Sequence, residues 1–268
     1  LDTLRAAVWP PSDVPLDRAG RRLPGRRYLI TGASSGIGKA TSILLSRLGA
    51  ELALVDLNVD GLKCTQTLCP NRTYLLDIDL TDSGAIKQKI SDMVVDFGKL
   101  NGFAHIAGRP YIVPLKGVSE NACTEVYKLN TYAAIELAKI FTNRKVYVGD
   151  HGSVVLISSV YGVVGSAANV GYAMTKSGII GITKALAMEF ASKKIRFNCI
   201  APGFIKTPMM DANVNSFDQD YLDTLNNLHP LGLGEPDDIA FAVAYLFSDM
   251  AKWVTGSVMN VDGGFTAQ

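Results

Sequence analysis

Apolar residues fall in short unbroken runs with longer stretches of helical spacing between them. The runs are Tyr28–Thr31, Leu52–Asp56, Thr73–Ile78, Gly102–Ile106, Ser153–Ser158, Arg196–Ala201 and Ser257–Val261. Helical patterns cover Gly36–Leu48, stopped by Gly49, and Ser83–Phe97, ended near Gly98. A long one spans Val118–Tyr147, and another Tyr172–Ser192. A last helix starts at Pro236, where a missing N–H costs nothing. Unbroken apolar strands alternating with helices predict a parallel sheet covered on both faces. The expected fold is α/β: one doubly wound parallel sheet of about seven strands with helices on both sides.

Residues 1–22 stand apart from this pattern. Pro10, Pro11 and Pro15 break any helix, and Arg21, Arg22, Arg26 and Arg27 cluster beside Pro24 and Gly25. They are expected to form a loosely ordered extension, leaving 23–268 as a single catalytic domain. With 48% apolar residues the chain can bury a large core. Its net charge of +1 does not steer it toward nucleic acid or an anionic membrane. No apolar run approaches the ~18 residues that span a bilayer. There is no basic-then-apolar leader pattern, and the chain opens on Leu1 rather than Met, so a trimmed start is expected. Cys64, Cys69, Cys123 and Cys199 match no zinc spacing and read as reduced thiols in a cytoplasmic protein.

Chemistry concentrates at two ends of the pattern. Gly32, Gly36 and Gly38 stand between a strand and a helix. A turn there lets backbone approach a diphosphate, and the helix N-terminus offers it free N–H groups. Asp56 ends the second strand, where a carboxylate accepts hydrogen bonds from both ribose hydroxyls of an adenosine and repels a 2′-phosphate. At the other end, Tyr172 and Lys176 lie four apart on one helix face. A cation beside a phenol favours the phenolate, so the Tyr172 pKa is expected to fall toward neutral. A phenol tuned in that way gives or takes a proton at physiological pH.

Together with Ser158-Ser159 and Asn198-Cys199-Ile200-Ala201-Pro202-Gly203, these stretches resemble the short-chain dehydrogenase/reductase family. Thr31-Gly32-Ala33-Ser34-Ser35-Gly36-Ile37-Gly38 is similar to that family's own glycine turn at every position. The resemblance covers about Leu23 to Gln268 and is closest to the 3-oxoacyl-acyl-carrier-protein reductase-like branch. It implies a Rossmann-type fold, a homotetramer, and a catalytic set of Asn130, Ser159, Tyr172 and Lys176. It also assigns cofactor contacts to Gly32, Ser34, Ser35, Gly36, Ile37, Gly38, Asp56 and Leu57 in the first half. Asp79, Leu80, Ala107 and Gly108 follow, then Tyr172, Lys176, Pro202, Gly203, Ile205 and Thr207. Asp77 competes with Asp79 for the adenine position, and the following Thr81-Asp82 favours Asp79. Where relatives that hold a 2′-phosphate place a cation, this chain has Ser35 and Leu57, so NAD(H) is favoured and NADP(H) remains open.

One departure is visible. The family's Asn-Asn-Ala-Gly reads His105-Ile106-Ala107-Gly108 here, and His105 is expected to be a hydrogen-bonded core residue. No metal is expected, since His105, His151 and His229 lack ligand spacing. Residues 207–231 read as a substrate lid, and that lid's lack of an Arg or Lys cluster favours a neutral, moderately apolar ketone or alcohol. The expected activity is hydride transfer between a nicotinamide cofactor and a secondary alcohol or ketone. Two other readings stay open: a catalytically silent dinucleotide-binding redox sensor or scaffold, and a lyase or isomerase on the same cofactor site. The second would need an extra base in the lid, and none stands out.

Overall fold

The structure, a computed structural model, describes residues 23–210 and 224–267. The expected extension over 1–22 and the middle of the expected lid, 211–223, lie outside the described residues. Seven parallel strands form one sheet. They are β1 (Arg27–Thr31), β2 (Glu51–Asp56), β3 (Thr73–Asp77), β4 (Gly102–His105), β5 (Gly152–Ile157), β6 (Ile195–Pro202) and β7 (Val258–Val261). Their order is β3-β2-β1-β4-β5-β6-β7. The chain reverses direction across the sheet between β1 and β4, and a crevice opens there at the carboxyl ends of the strands.

The helices are α1 (Gly36–Arg47), α2 (Val59–Thr67), α3 (Ser83–Phe97), α4 (Glu120–Tyr127), α5 (Ala133–Phe141), α6 (Val170–Phe190) and α7 (Pro236–Phe247). Side chains alternate along each strand, so each strand feeds two cores. Leu29 and Val55 pack with α3, α5 and α6 on one face. Tyr28, Ile30 and Leu54 pack with α7 and the α1 side on the other. Tyr28 stacks on Phe247, ring centres 4.2 Å apart, and ties β1 to α7. Two covered faces explain why the strands read as unbroken apolar runs.

Helix starts follow from their caps. The Asp82 carboxylate accepts from the Gly84 and Ala85 N–H groups at 2.9 and 3.0 Å and begins α3. Glu235 and Asp238 form a reciprocal box around Pro236 at the head of α7. Two features depart from expectation. The polar helix α2 was not expected, and only Leu62 and Thr65 of it are buried. The single long pattern over Val118–Tyr147 is broken into α4, a π-helical turn at Lys128–Tyr132 and α5, which ends at Phe141.

Candidate active site

Two adjoining clefts occupy the crevice. The first, about 450 Å³, runs from Asp56 and Asp79 past the Gly32–Gly38 turn to Gly108. The second, about 380 Å³, holds Ser159, Tyr172 and Lys176 beside the loop after β6. They share Ile37, Ile106, Gly108, Arg109, Thr207 and Met209, so one ligand can extend through both. The first cleft gathers the expected Gly32, Ser34, Ser35, Gly36, Ile37, Gly38, Asp56, Leu57, Asp79, Leu80, Ala107, Gly108 and Thr207. The second adds Pro202, Gly203 and Ile205. Asp79 lines the first cleft, whereas Asp77 lines neither.

The turn is built for close backbone approach. Gly32 has φ +69°, and a Cβ there would stand 3.0 Å from the Ala107 nitrogen. A Cβ on Gly38 would run into the Gly32 carbonyl. Ser35 caps α1 without a side-chain hydrogen bond, which leaves the first-turn N–H groups free of side-chain partners. Asp56 accepts from the Ser34 N–H at 3.2 Å and the Asn58 N–H at 3.0 Å, so its carboxylate is held at the cleft rim. Asp79 accepts from the Thr81 N–H and hydroxyl at 2.8 and 2.7 Å, and these bonds hold its carboxyl below the usual range.

His105 is a core residue, as its place in β4 implied. The Thr31 hydroxyl accepts from the Ile106 and Ala107 N–H groups, each at 3.0 Å, and lies 3.0 Å from His105 Nδ1. His105 Nε2 lies 3.1 Å from the Leu129 carbonyl. Those partners assign a neutral ring with the proton on Nε2. Burial, and then the charge of Lys176, push its pKa down to about 4. Thr31, which sequence reasoning passed over, thus joins β1 to the Ala107-Gly108 turn. Its only sequence signal was a hydroxyl placed just before Gly32.

In the second cleft Lys176 is 4% exposed, and its Nζ donates to the Ile157 carbonyl at 2.9 Å. Burial lowers its pKa to about 8. The Tyr172 phenol moves the opposite way from expectation. Burial pushes it up to about 12, and a hydrogen bond from Ser159 pulls back only part of that. The lowering expected from Lys176 is not among the causes of the shift. The Ser159 hydroxyl also accepts from the Tyr161 N–H at 3.2 Å, which orients it at the head of the following turn.

Asn130 lines neither cleft. It is fully buried in the π-helical turn behind them. Its Oδ1 accepts from the Arg109 N–H at 2.9 Å, and its Nδ2 donates to the Arg109 carbonyl at 3.0 Å and to Thr175 Oγ1 at 3.2 Å. The residue therefore braces the loop after β4 against α6. Among the described residues no group of three or more His, Cys, Asp or Glu is placed to hold a metal, and no helix is long and apolar enough to cross a membrane.

The sequence and the fold are similar to those of known proteins. Residues 32–266 match the family model described as enoyl-(acyl carrier protein) reductase. The 3-oxoacyl-[acyl-carrier-protein] reductase FabG of Thermotoga maritima is 33% identical over 247 residues, 91% of this chain and 98% of its own. A 4-hydroxyisoleucine dehydrogenase complexed with NADH has TM-score 0.84 at 28% identity, covering 91% of this chain and 99% of that one. An Agrobacterium tumefaciens protein described as a candidate 2-deoxy-d-gluconate 3-dehydrogenase, with bound NADP, has TM-score 0.82 at 30% identity, covering 94% and 100%. The chain belongs to the short-chain dehydrogenase/reductase family, in its FabG-like branch. It is an NAD(P)-dependent oxidoreductase that interconverts alcohols and ketones.

Proposed function

We propose that Tyr172 is the general acid and base of this reaction, that Ser159 and Lys176 serve it, and that NAD(H) is the preferred cofactor. The observation that carries the reading is the meeting of Ser159, Tyr172 and Lys176 in one cleft that runs into the glycine cradle. The cradle fits a dinucleotide. It offers the free N-terminus of α1 to a diphosphate and the Asp56 carboxylate to the adenosine hydroxyls. Pro202, Gly203, Ile205 and Thr207 would hold the other end, beside Tyr172. Bound there, a nicotinamide dinucleotide supplies or accepts the hydride.

The chain's own groups do the rest. Ser159 Oγ donates a hydrogen bond to the substrate oxygen and fixes its position. Tyr172 Oη gives that oxygen a proton when a ketone is reduced and takes one when an alcohol is oxidised. Lys176, anchored on the Ile157 carbonyl, turns its remaining N–H groups to the cleft. Asn130 offers its backbone carbonyl to a water that connects Lys176 with solvent.

Asp56 supports the cofactor choice. A 2′-phosphate at the end of β2 would meet its carboxylate, and Ser35 and Leu57 offer no cation in exchange. The test of the chemistry is Tyr172→Phe. Turnover should fall by roughly 10²–10⁴ while NADH still binds. A variant that keeps activity within about tenfold would show that Tyr172 is not the acid.

A further inference from the structure

We propose that Arg109 is a specificity-determining residue that receives a carboxylate on the substrate, so that the enzyme works on oxo acids and hydroxy acids. The inference rests on the reading of Ser159, Tyr172 and Lys176 given above. Arg109 follows Gly108 beyond the end of β4 and lies in the walls of both clefts, at their seam. Asn130 clamps its backbone on both sides, taking the N–H at 2.9 Å and bonding the carbonyl at 3.0 Å. Asn130 is itself buried and tied to Thr175 on α6, so Arg109 projects from a fixed point relative to Tyr172 and Lys176.

The side chain is exposed and makes no hydrogen bond or ion pair with any of the described residues. A guanidinium in that position matches a planar oxyanion with two parallel N–H donors. The first cleft carries the acids Asp56, Asp79 and Glu125, the last paired with Lys128 at 3.0 Å, but the charge of the second cleft points the same way. Among the described residues its charged wall members are Arg109 and Lys176, both cations, with no Asp or Glu. Lys176 is already anchored at the reacting end. That leaves Arg109 for the rest of the substrate, beside Pro110, Ile112 and Met209. The lid composition pointed to a neutral substrate, but this cation enters from the β4 side instead.

The rival occupant is the cofactor diphosphate, and the test separates the two. Levulinate and methyl levulinate form an open-chain pair, and cyclohexanone-carboxylate and its methyl ester a ring pair. Each is assayed as kcat/KM with NADH on the unmodified enzyme, Arg109→Gln and Arg109→Lys, and NADH Kd is measured on all three. The unmodified enzyme should favour the acid in at least one pair. Arg109→Gln should lower the acid-to-ester ratio roughly 10- to 100-fold, with partial recovery in Arg109→Lys. An unmodified enzyme that prefers the esters overturns the proposal. So does a ratio left unchanged by Arg109→Gln, including the case where NADH binding alone weakens. Turnover of neutral ketones with none of either acid also overturns it and leaves the oxidoreductase chemistry standing. Full turnover of any of these compounds by Tyr172→Phe would instead break the reading beneath it.

Discussion

The Lys176 ammonium nitrogen lies 5.7 Å from the centre of the Tyr172 ring, and burial shifts both groups against ionisation. The lysine is driven down and the phenol up. Burial thus holds the Tyr172 proton in place and makes the Lys176 proton easier to lose, though near neutral pH Lys176 still carries its charge.

A stability effect follows for Lys176. Its folded pKa of about 8 lies below the ordinary 10.5. Between those values the unfolded chain binds more protons, so stability rises with pH across that window. Relative to Lys176→Met, the unmodified protein should gain on the order of 2–3 kcal/mol between about pH 8 and about pH 10.5. Tyr172 acts in the opposite sense above about pH 10, but it is present in both proteins and cancels. Urea unfolding of the pair at both ends of the window measures the gap, and a constant gap would contradict the burial of a titrating Lys176.

The raised phenol makes the two directions of reaction differ. Near neutral pH Tyr172 carries its proton, the form that reduction needs. Oxidation needs the phenolate, which is scarce until the pH nears about 12. Initial-rate kcat/KM for alcohol oxidation should climb from about pH 7 to about pH 9, while ketone reduction stays level or falls. Parallel profiles in the two directions would mean that the bound cofactor resets the Tyr172 pKa.

Asp56 should set the cofactor preference. Two like charges about 4 Å apart repel by about 4 kcal/mol at an effective dielectric of ~20, and relaxation leaves on the order of 2 kcal/mol. That is still more than tenfold in affinity. The carboxylate is fixed by the Ser34 and Asn58 N–H groups and cannot swing far away. Asp56→Ala combined with Leu57→Arg should move the preference toward NADP(H). The ratio of kcat/KM for NAD(H) over NADP(H) on one substrate decides the point, and a ratio at or below one for the unmodified protein would end the argument.

A homotetramer is the proposed assembly. On α6, Met188 is 82% exposed, and Trp253, ahead of β7, is 95% exposed. Ile179 is buried and Ile180, Ile182 and Leu186 pack against the same core, so little of this helix's apolar surface is left over for a partner beyond Met188. Light scattering at micromolar concentration should give about four times 28.7 kDa. Met188→Glu should weaken the assembly, and a monomeric unmodified protein would rule it out.

The strands and the glycine turn were legible because their causes are local. A strand buried on both faces is apolar at nearly every position, and a turn as tight as Gly32–Gly38 leaves no room for a Cβ at Gly38. The spacing of four between Tyr172 and Lys176 likewise sets a shared helix face without reference to the rest of the chain. Helix α2 was hidden because only Leu62 and Thr65 of it face inward, too few to show a period. The π-helical turn was hidden because an apolar pattern does not register one widened turn inside a helical run. Asn130 shows the same limit: only the resemblance singled it out, and only its position behind Arg109 and Thr175 makes it a brace. The direction of the Tyr172 shift was misjudged for a related reason. Sequence spacing reports which charge is near, whereas desolvation depends on how much of the core closes around the phenol, and that is decided only when β5, α6 and the loop after β6 come together.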